Sequence, residues 1–111
     1  MGALILNMKI FAKNFTQRVR EVVKKIPKGK TLTYAEVAKW AGNSKAYRAV
    51  GSALNKNPYA PQVPCHRVIN TNGELGGFAS GLKKKIKMLL QEGIIIKNNK
   101  VNLEQFGHKW R

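Results

Sequence analysis

The sequence predicts a mainly α, winged-helix-like helix-turn-helix domain with a short C-terminal hairpin. Two observations carry that expectation. Two short helical patterns meet at the turn "AGNS", residues 41–44. Late in the chain, the apolar runs Ile94–Ile96 and Val101–Leu103 bracket a polar Lys-Asn-Asn-Lys. A length of 111 residues points to one domain with a modest core.

Residues 1–15 read as an N-terminal arm or short strand, too short for a full preceding domain. From Thr16, a candidate cap, Val19, Val22, Val23 and Ile26 share one helical face while Lys and Arg occupy the other. Pro27 and Gly29 turn the chain. Thr33 with Glu36 three residues on is a capping box, opening a helix with Val37 and Ala38 inward and Trp40 a further candidate. Gly42 stops it, and Asn43 or Ser44 caps a second helix running to about Asn57, before Pro58. That second helix carries small side chains, and Gly51 inside it costs about 1 kcal/mol against Ala. Close helix packing explains such a glycine, and so does close approach to a DNA groove. A glycine-rich loop, "TNGELGGFASG", lacks the spacing of a phosphate cradle. Ser80 then starts a helix with Leu82, Ile86, Leu89 and Leu90 inward and lysines 83, 84, 85 and 87 on a solvated face.

The composition narrows the function classes. An apolar share of 43% opposes disorder, and a single cysteine excludes an internal disulfide framework. One Cys and two distant His make a metal site improbable, so neither metal nor cofactor is expected. No stretch has the length of a membrane span, and Ala3–Leu6 is too short for a signal peptide. The expectation is a cytoplasmic monomer. Twenty-one Lys and Arg against five Glu give a formal charge of +16. So positive a surface attracts polyanions, with nucleic acid favoured over an anionic membrane. A lysine-rich solvated surface is the bland alternative.

The lone thiol lies in "VPCHRVIN", residues 63–70, with His66 directly after Cys65. Lone cysteines are usually small buried hydrophobes. A nucleophilic one needs a base or cation beside it. Neighbouring residues in an extended strand face opposite ways, so Cys65 and His66 cooperate only if Pro64 bends the chain or water bridges them. Glu92 is a candidate to orient the imidazole. The residues alone leave that relay open.

"PCHRVI", with "NP" upstream at 57–58 and "GELGGFASGL" downstream, resembles the O6-alkylguanine-DNA alkyltransferases. The match extends through "IPKGKTLTYAEVAKWAGNSKAYRAVGSALNKNP" and "LLQEG", most of residues 16–93. The resemblance implies that Cys65 takes the alkyl group from O6 of a guanine flipped out of duplex DNA. It implies a relay of His66, water and Glu92, and a Tyr34 that protonates the departing base and crowds its phosphate. Arg48 would fill the gap in the stack. Lys45, Ala46, Ala49, Gly51 and Ser52 would face the minor groove, with Arg67 also at the duplex. Asn57 would hold the turn carrying the active-site segment, and Val68, Phe78 and Ala79 would line the guanine pocket. The product, a thioether, has no hydrolytic route back, so one molecule repairs one lesion.

The chain departs from the family pattern in three places. Most full-length members carry an N-terminal domain. Ala79 stands where Ser is common, and Ala60 where proline is frequent. Two rival readings remain. Alkyltransferase-like proteins share the fold but replace the cysteine, commonly with Trp, and bind lesions without transfer. A winged-helix transcription factor leaves PCHRVI unexplained.

Overall fold

Helix α1, Phe15–Lys24, opens at Asn14, two residues before the expected Thr16. Asn14 accepts from the Gln17 N–H at 2.8 Å, and the Gln17 side chain reaches back to the Asn14 N–H at 3.0 Å. This reciprocal cap satisfies two amide donors, which a Thr16 cap would leave exposed. The computed structural model describes residues 14–58, 62–78 and 80–109; positions 1–13 of the expected N-terminal arm, Ala60 and Ala79 lie outside them, while the arm's last two residues belong to the start of α1.

Strand β1, Leu32–Thr33, leads directly into helix α2, Tyr34–Trp40, through the expected Thr33–Glu36 capping box. Val37 and Ala38 are buried, whereas Trp40 is half-exposed and lies outside the core. Helix α3, Tyr47–Asn55, begins later than expected. Asn43 spends its side chain on the Lys45 N–H and its carbonyl on the Ala46 N–H, closing a turn before the helix begins. Ala46 is the cap and offers no side-chain acceptor. Lys45 and Ala46 therefore precede the helix. Helices α1, α2 and α3 pack on one another to form the helix-turn-helix unit.

A 3-10 turn, Cys65–Arg67, passes into strand β2, Val68–Ile69. Strand β2 pairs in parallel with β1, matching Leu32 with Val68 and Thr33 with Ile69. Successive strand side chains point to opposite sides. Val68 accordingly joins the cluster under α1–α3, which includes Val19, Val23, Val37 and Val50. Ile69 joins a second cluster with Leu75, Leu89, Ile94, Val101 and Phe106. The cysteine segment thus runs along the seam between two cores.

Helix α4, Leu82–Gln91, starts after Gly81 and not at the expected Ser80; the cap is Gly81, at a φ of 96° that favours glycine. Its buried face differs from expectation. Lys85 and Leu89 are buried, while Leu82 and Leu90 are half-exposed. The face is rotated because Lys85 has a purpose inside. The expected hairpin is present as β3, Ile96–Lys97, and β4, Lys100–Val101, paired antiparallel. Asn98 and Asn99, at φ of 52° and 60°, supply the two left-handed residues of a tight hairpin turn. Leu103 leaves the expected strand and opens helix α5, Leu103–Phe106, capped by Asn102. The tail is then tied to Thr31, which donates to the Phe106 carbonyl and accepts from the His108 N–H, each at 2.8 Å.

Candidate active site and nucleic-acid interface

Pro64 does bend the chain. Its φ of −81° and ψ of 70° form an inverse γ-turn, closed by the Cys65 N–H on the Val63 carbonyl at 2.8 Å. The 3-10 turn follows at once, with the Arg67 N–H on the Pro64 carbonyl at 3.0 Å. Cys65 and His66 therefore share a tight turn rather than opposite faces of a strand. Upstream, Asn57 donates its side-chain N–H to the Val63 carbonyl at 3.0 Å, anchoring the entry to this turn.

His66 is almost fully buried, and its Nε2 lies 2.9 Å from Glu92 Oε2 at the end of α4. Burial lowers the imidazole pKa, and the Glu92 contact only partly opposes this. Burial would also raise the Glu92 carboxyl. Hydrogen bonds from Arg67 and His66 outweigh it and hold the pKa at about 2. An ionised Glu92 accepts only, so neutral His66 carries its proton on Nε2 and keeps Nδ1 as the basic nitrogen. Arg67 completes the group. Its Nε and Nη2 donate to the two Glu92 oxygens at 2.8 and 2.7 Å, and its Nη1 donates to the Ile26 carbonyl at 2.8 Å. This corrects the expectation that Arg67 faces DNA. Its guanidinium is spent inside, locking α4, the turn and the exit of α1 together.

Lys85 is the residue the sequence reasoning missed. It is 0% exposed, and its Nζ donates to the Val68 carbonyl at 2.7 Å and the Gly77 carbonyl at 3.2 Å. The same ammonium lies 6.0 Å from the ring centres of both Tyr34 and Phe78. One buried cation thus gathers the strand after the thiol, the glycine-rich wall and two aromatic rings. Burial depresses its pKa to about 8, with the nearby Cys65 opposing the shift. Within a run of four cations among five residues, Lys85 had no distinguishing signal; only the helical position it shares with Leu89 and Glu92 hinted at an inward face.

Tyr34, the first residue of α2, is set beside this group by the β1–β2 pairing. Burial, then the charge of Cys65, raises its phenol above the ordinary 10.0, so it holds its proton. Gly76, at φ 70°, lets the wall approach: an added Cβ would lie 3.0 Å from Asn70 Oδ1 and 3.4 Å from the Tyr34 ring. Tyr34 also lines a cleft of about 580 Å³ with Tyr47, Gly51, Asn70, Thr71, Asn72 and Gly77. The thiol itself is nearly buried, at 9% exposure, so Tyr34 links the cleft to the cysteine. Another depression, about 590 Å³, between α1 and Gln62–Val63 contains none of these residues.

The outward side of α3 is bare. Arg48, Ala49 and Ser52 are exposed, as is Lys45 ahead of the helix. Among the described residues, a Cβ added at Gly51 would meet nothing within 4 Å. Helix packing therefore does not explain that glycine. No ion pair joins Arg48 to Glu36, whose carboxylate accepts from the Thr33 N–H instead. Among the described residues, no group of three or more His, Cys, Asp or Glu is placed to hold a metal. Nor is any described helix long and apolar enough to cross a membrane.

The family model for the DNA-binding domain of 6-O-methylguanine DNA methyltransferase matches residues 14–94, the span that holds every element of this site. The chain belongs to that family. A methylated-DNA–protein-cysteine methyltransferase from Methanosarcina acetivorans is 56% identical over 79 residues, covering 71% of this chain and 51% of the relative. The chain spans about half the length of the curated relatives it matches. Among solved structures, Mycobacterium tuberculosis OGT in complex with DNA superposes with a TM-score of 0.70 at 43% identity, covering 74% of this chain and 50% of that one. S. pombe Atl1, bound to damaged DNA containing O6-carboxymethylguanine, superposes with a TM-score of 0.78 at 32% identity. That match covers 86% of this chain and 94% of Atl1.

Proposed function

We propose that this chain repairs duplex DNA by moving an alkyl group from O6 of guanine irreversibly onto Cys65. The observation that carries the proposal is the shared turn of Cys65 and His66, with His66 held neutral and oriented by ionised Glu92. Displacement at a saturated carbon favours a soft nucleophile, and a thiolate is the best side chain for it. His66 Nδ1, acting through water, takes the thiol proton. Sulfur then bonds to the alkyl carbon as the carbon–O6 bond breaks, and the electron pair leaves with the guanine. Tyr34, holding its proton, donates to the base as it departs. No cofactor enters the step.

The approach to DNA uses the bare side of α3. Small side chains let a helix enter a narrow groove, and the +16 charge supplies affinity largely independent of sequence. The target base leaves the stack, and Arg48 occupies its place. The backbone at Cys65 and Val68 and the wall at Phe78 line the pocket that receives it; Ala79 lies outside the described residues.

Atl1's near-complete overlap with this chain supports a second reading, a module that binds the lesion without transfer. Mixing the protein with duplex DNA containing O6-methylguanine and weighing it intact separates the two. One added methyl, mapped to Cys65, is the expected result. Retained binding with no added mass would favour the second reading.

A further inference from the structure

Tyr47 has no evident reason to be aromatic. It is the first residue of α3 and 48% exposed, and it neither caps the helix nor joins either core cluster. It lies one turn before Gly51, and both line the cleft that Tyr34 shares. Among the described residues its cation–π contact is with the next residue: the Arg48 guanidinium carbon lies 6.0 Å from the Tyr47 ring centre. Consecutive helical residues point about 100° apart and do not ordinarily face each other. Arg48, although exposed, thus carries its guanidinium beside the ring of its neighbour.

We infer that Tyr47 is a positioning residue for Arg48, holding its guanidinium at the mouth of the cleft before the base leaves the duplex. The inference rests on the role proposed for Arg48 above. A long arginine on a bare helix samples many rotamers, and ordering it opposes its entry into the stack. The outward neighbours Ala49 and Ser52 are too small to restrain it. An aromatic face attracts a planar cation and limits the conformers it must abandon. The attraction is one of an exposed pair, so the effect is modest: about two- to five-fold in the extruded population.

Extrusion is readable without transfer. In Cys65→Ala protein, which cannot complete the reaction, a duplex with 2-aminopurine beside O6-methylguanine brightens when the neighbouring base leaves the stack. Tyr47→Phe should match the parent, because the ring carries the contact. Tyr47→Ala should lower the extruded population two- to five-fold, and should add nothing once Arg48 is already Ala. Side-chain NMR of the free protein should show the Arg48 ring-current shift retained in Tyr47→Phe and lost in Tyr47→Ala. A Tyr47→Ala loss that persists in the Arg48→Ala background would mean that Tyr47 acts on DNA itself. A Phe variant as weak as Ala would assign the effect to the hydroxyl. Either result overturns the inference, as does an Ala variant equal to the parent. A parent protein that never brightens the probe overturns the flipping step and this inference together. A bright parent with an equally bright Tyr47→Ala overturns the inference alone.

Discussion

The turn at Cys65–Arg67 and the outer side of α3 are built on opposite plans. Around the turn, the charged groups of Glu92, Arg67 and Lys85 are matched by fixed partners within 3.2 Å. Along α3, the outward positions hold small side chains and the exposed Tyr47–Arg48 pair, whose contact among the described residues is a ring beside a guanidinium. Buried polar groups are costly unless satisfied, so a satisfied cluster is rigid and specifies one geometry. A bare helix specifies nothing until something covers it. Chemistry needs the first arrangement, and a surface that accepts many sequences needs the second.

The comparison breaks most decisively at the thiol. Cys65→Ala should abolish methyl transfer while leaving duplex affinity near that of the parent, because charge supplies most of the binding. Intact mass and a salt-titrated binding isotherm check both halves. Alkylation of another residue at the parent rate would show that the turn does not house the nucleophile.

Glu92 tests whether the cluster is held by its charge. Glu92→Gln leaves the Arg67 guanidinium without its counter-charge at a site only 11% exposed on the acid side. Removing one partner of such a pair should cost about 3 kcal/mol in urea unfolding and slow transfer as well. The pH dependence has a fixed sign. Glu92 sits at about 2 against an ordinary 4.5, so its contribution is complete above pH 4.5 and is lost as pH falls towards 2. His66 lies below 6.5, so the unfolded chain takes up that proton first and stability already declines as pH drops below 6.5. Glu92→Gln should flatten the lower part of this acid decline.

Lys85 gives a slope of the same sign in a more alkaline window. Its pKa of about 8 lies below the ordinary 10.5, so between these values the unfolded chain holds more protons and stability rises with pH. The rise is cleanest below pH 10, since above it the raised Tyr34 phenol pulls the other way. Lys85→Met should remove the rise, measured as the difference in unfolding midpoint from the parent between pH 8 and 10. An unchanged slope would mean that the ammonium is not buried as described.

Much of this could be read in the sequence, for identifiable reasons. The Thr33–Glu36 box, the two-Asn hairpin and the helix-turn-helix depend on residues a few positions apart, and local chemistry decides them. Glu92 is a candidate partner of His66 because few acids exist to choose from, and the family resemblance is what pairs them. The misreadings concern direction. Whether Lys85 or Leu82 faces inward depends on where α4 docks, and periodicity leaves the phase free by one position. The family resemblance puts Arg67 at the duplex, whereas its partners lie 25 and 41 residues away, beyond the reach of local pattern. Tyr47 drew no attention because an aromatic beside an arginine signals nothing until the helix is seen to be bare.

Gly51 sharpens the comparison at its small end. It stands inside α3, where glycine is about 1 kcal/mol less favourable than alanine. An added methyl meets no atom of the described residues within 4 Å, so their packing offers no penalty. Gly51→Ala should therefore stabilise the protein by up to about 1 kcal/mol, visible as a higher urea midpoint with an unchanged slope. If the space belongs to a bound duplex, the same methyl should weaken DNA binding while transfer from a free O6-benzylated guanine base continues at the parent rate. A gain in stability with no loss of binding would mean that the duplex does not approach this helix closely. A loss of stability would mean that some element outside the described residues already fills the space. Only the combination of a firmer fold and a weaker grip fits a glycine kept for the approach of DNA.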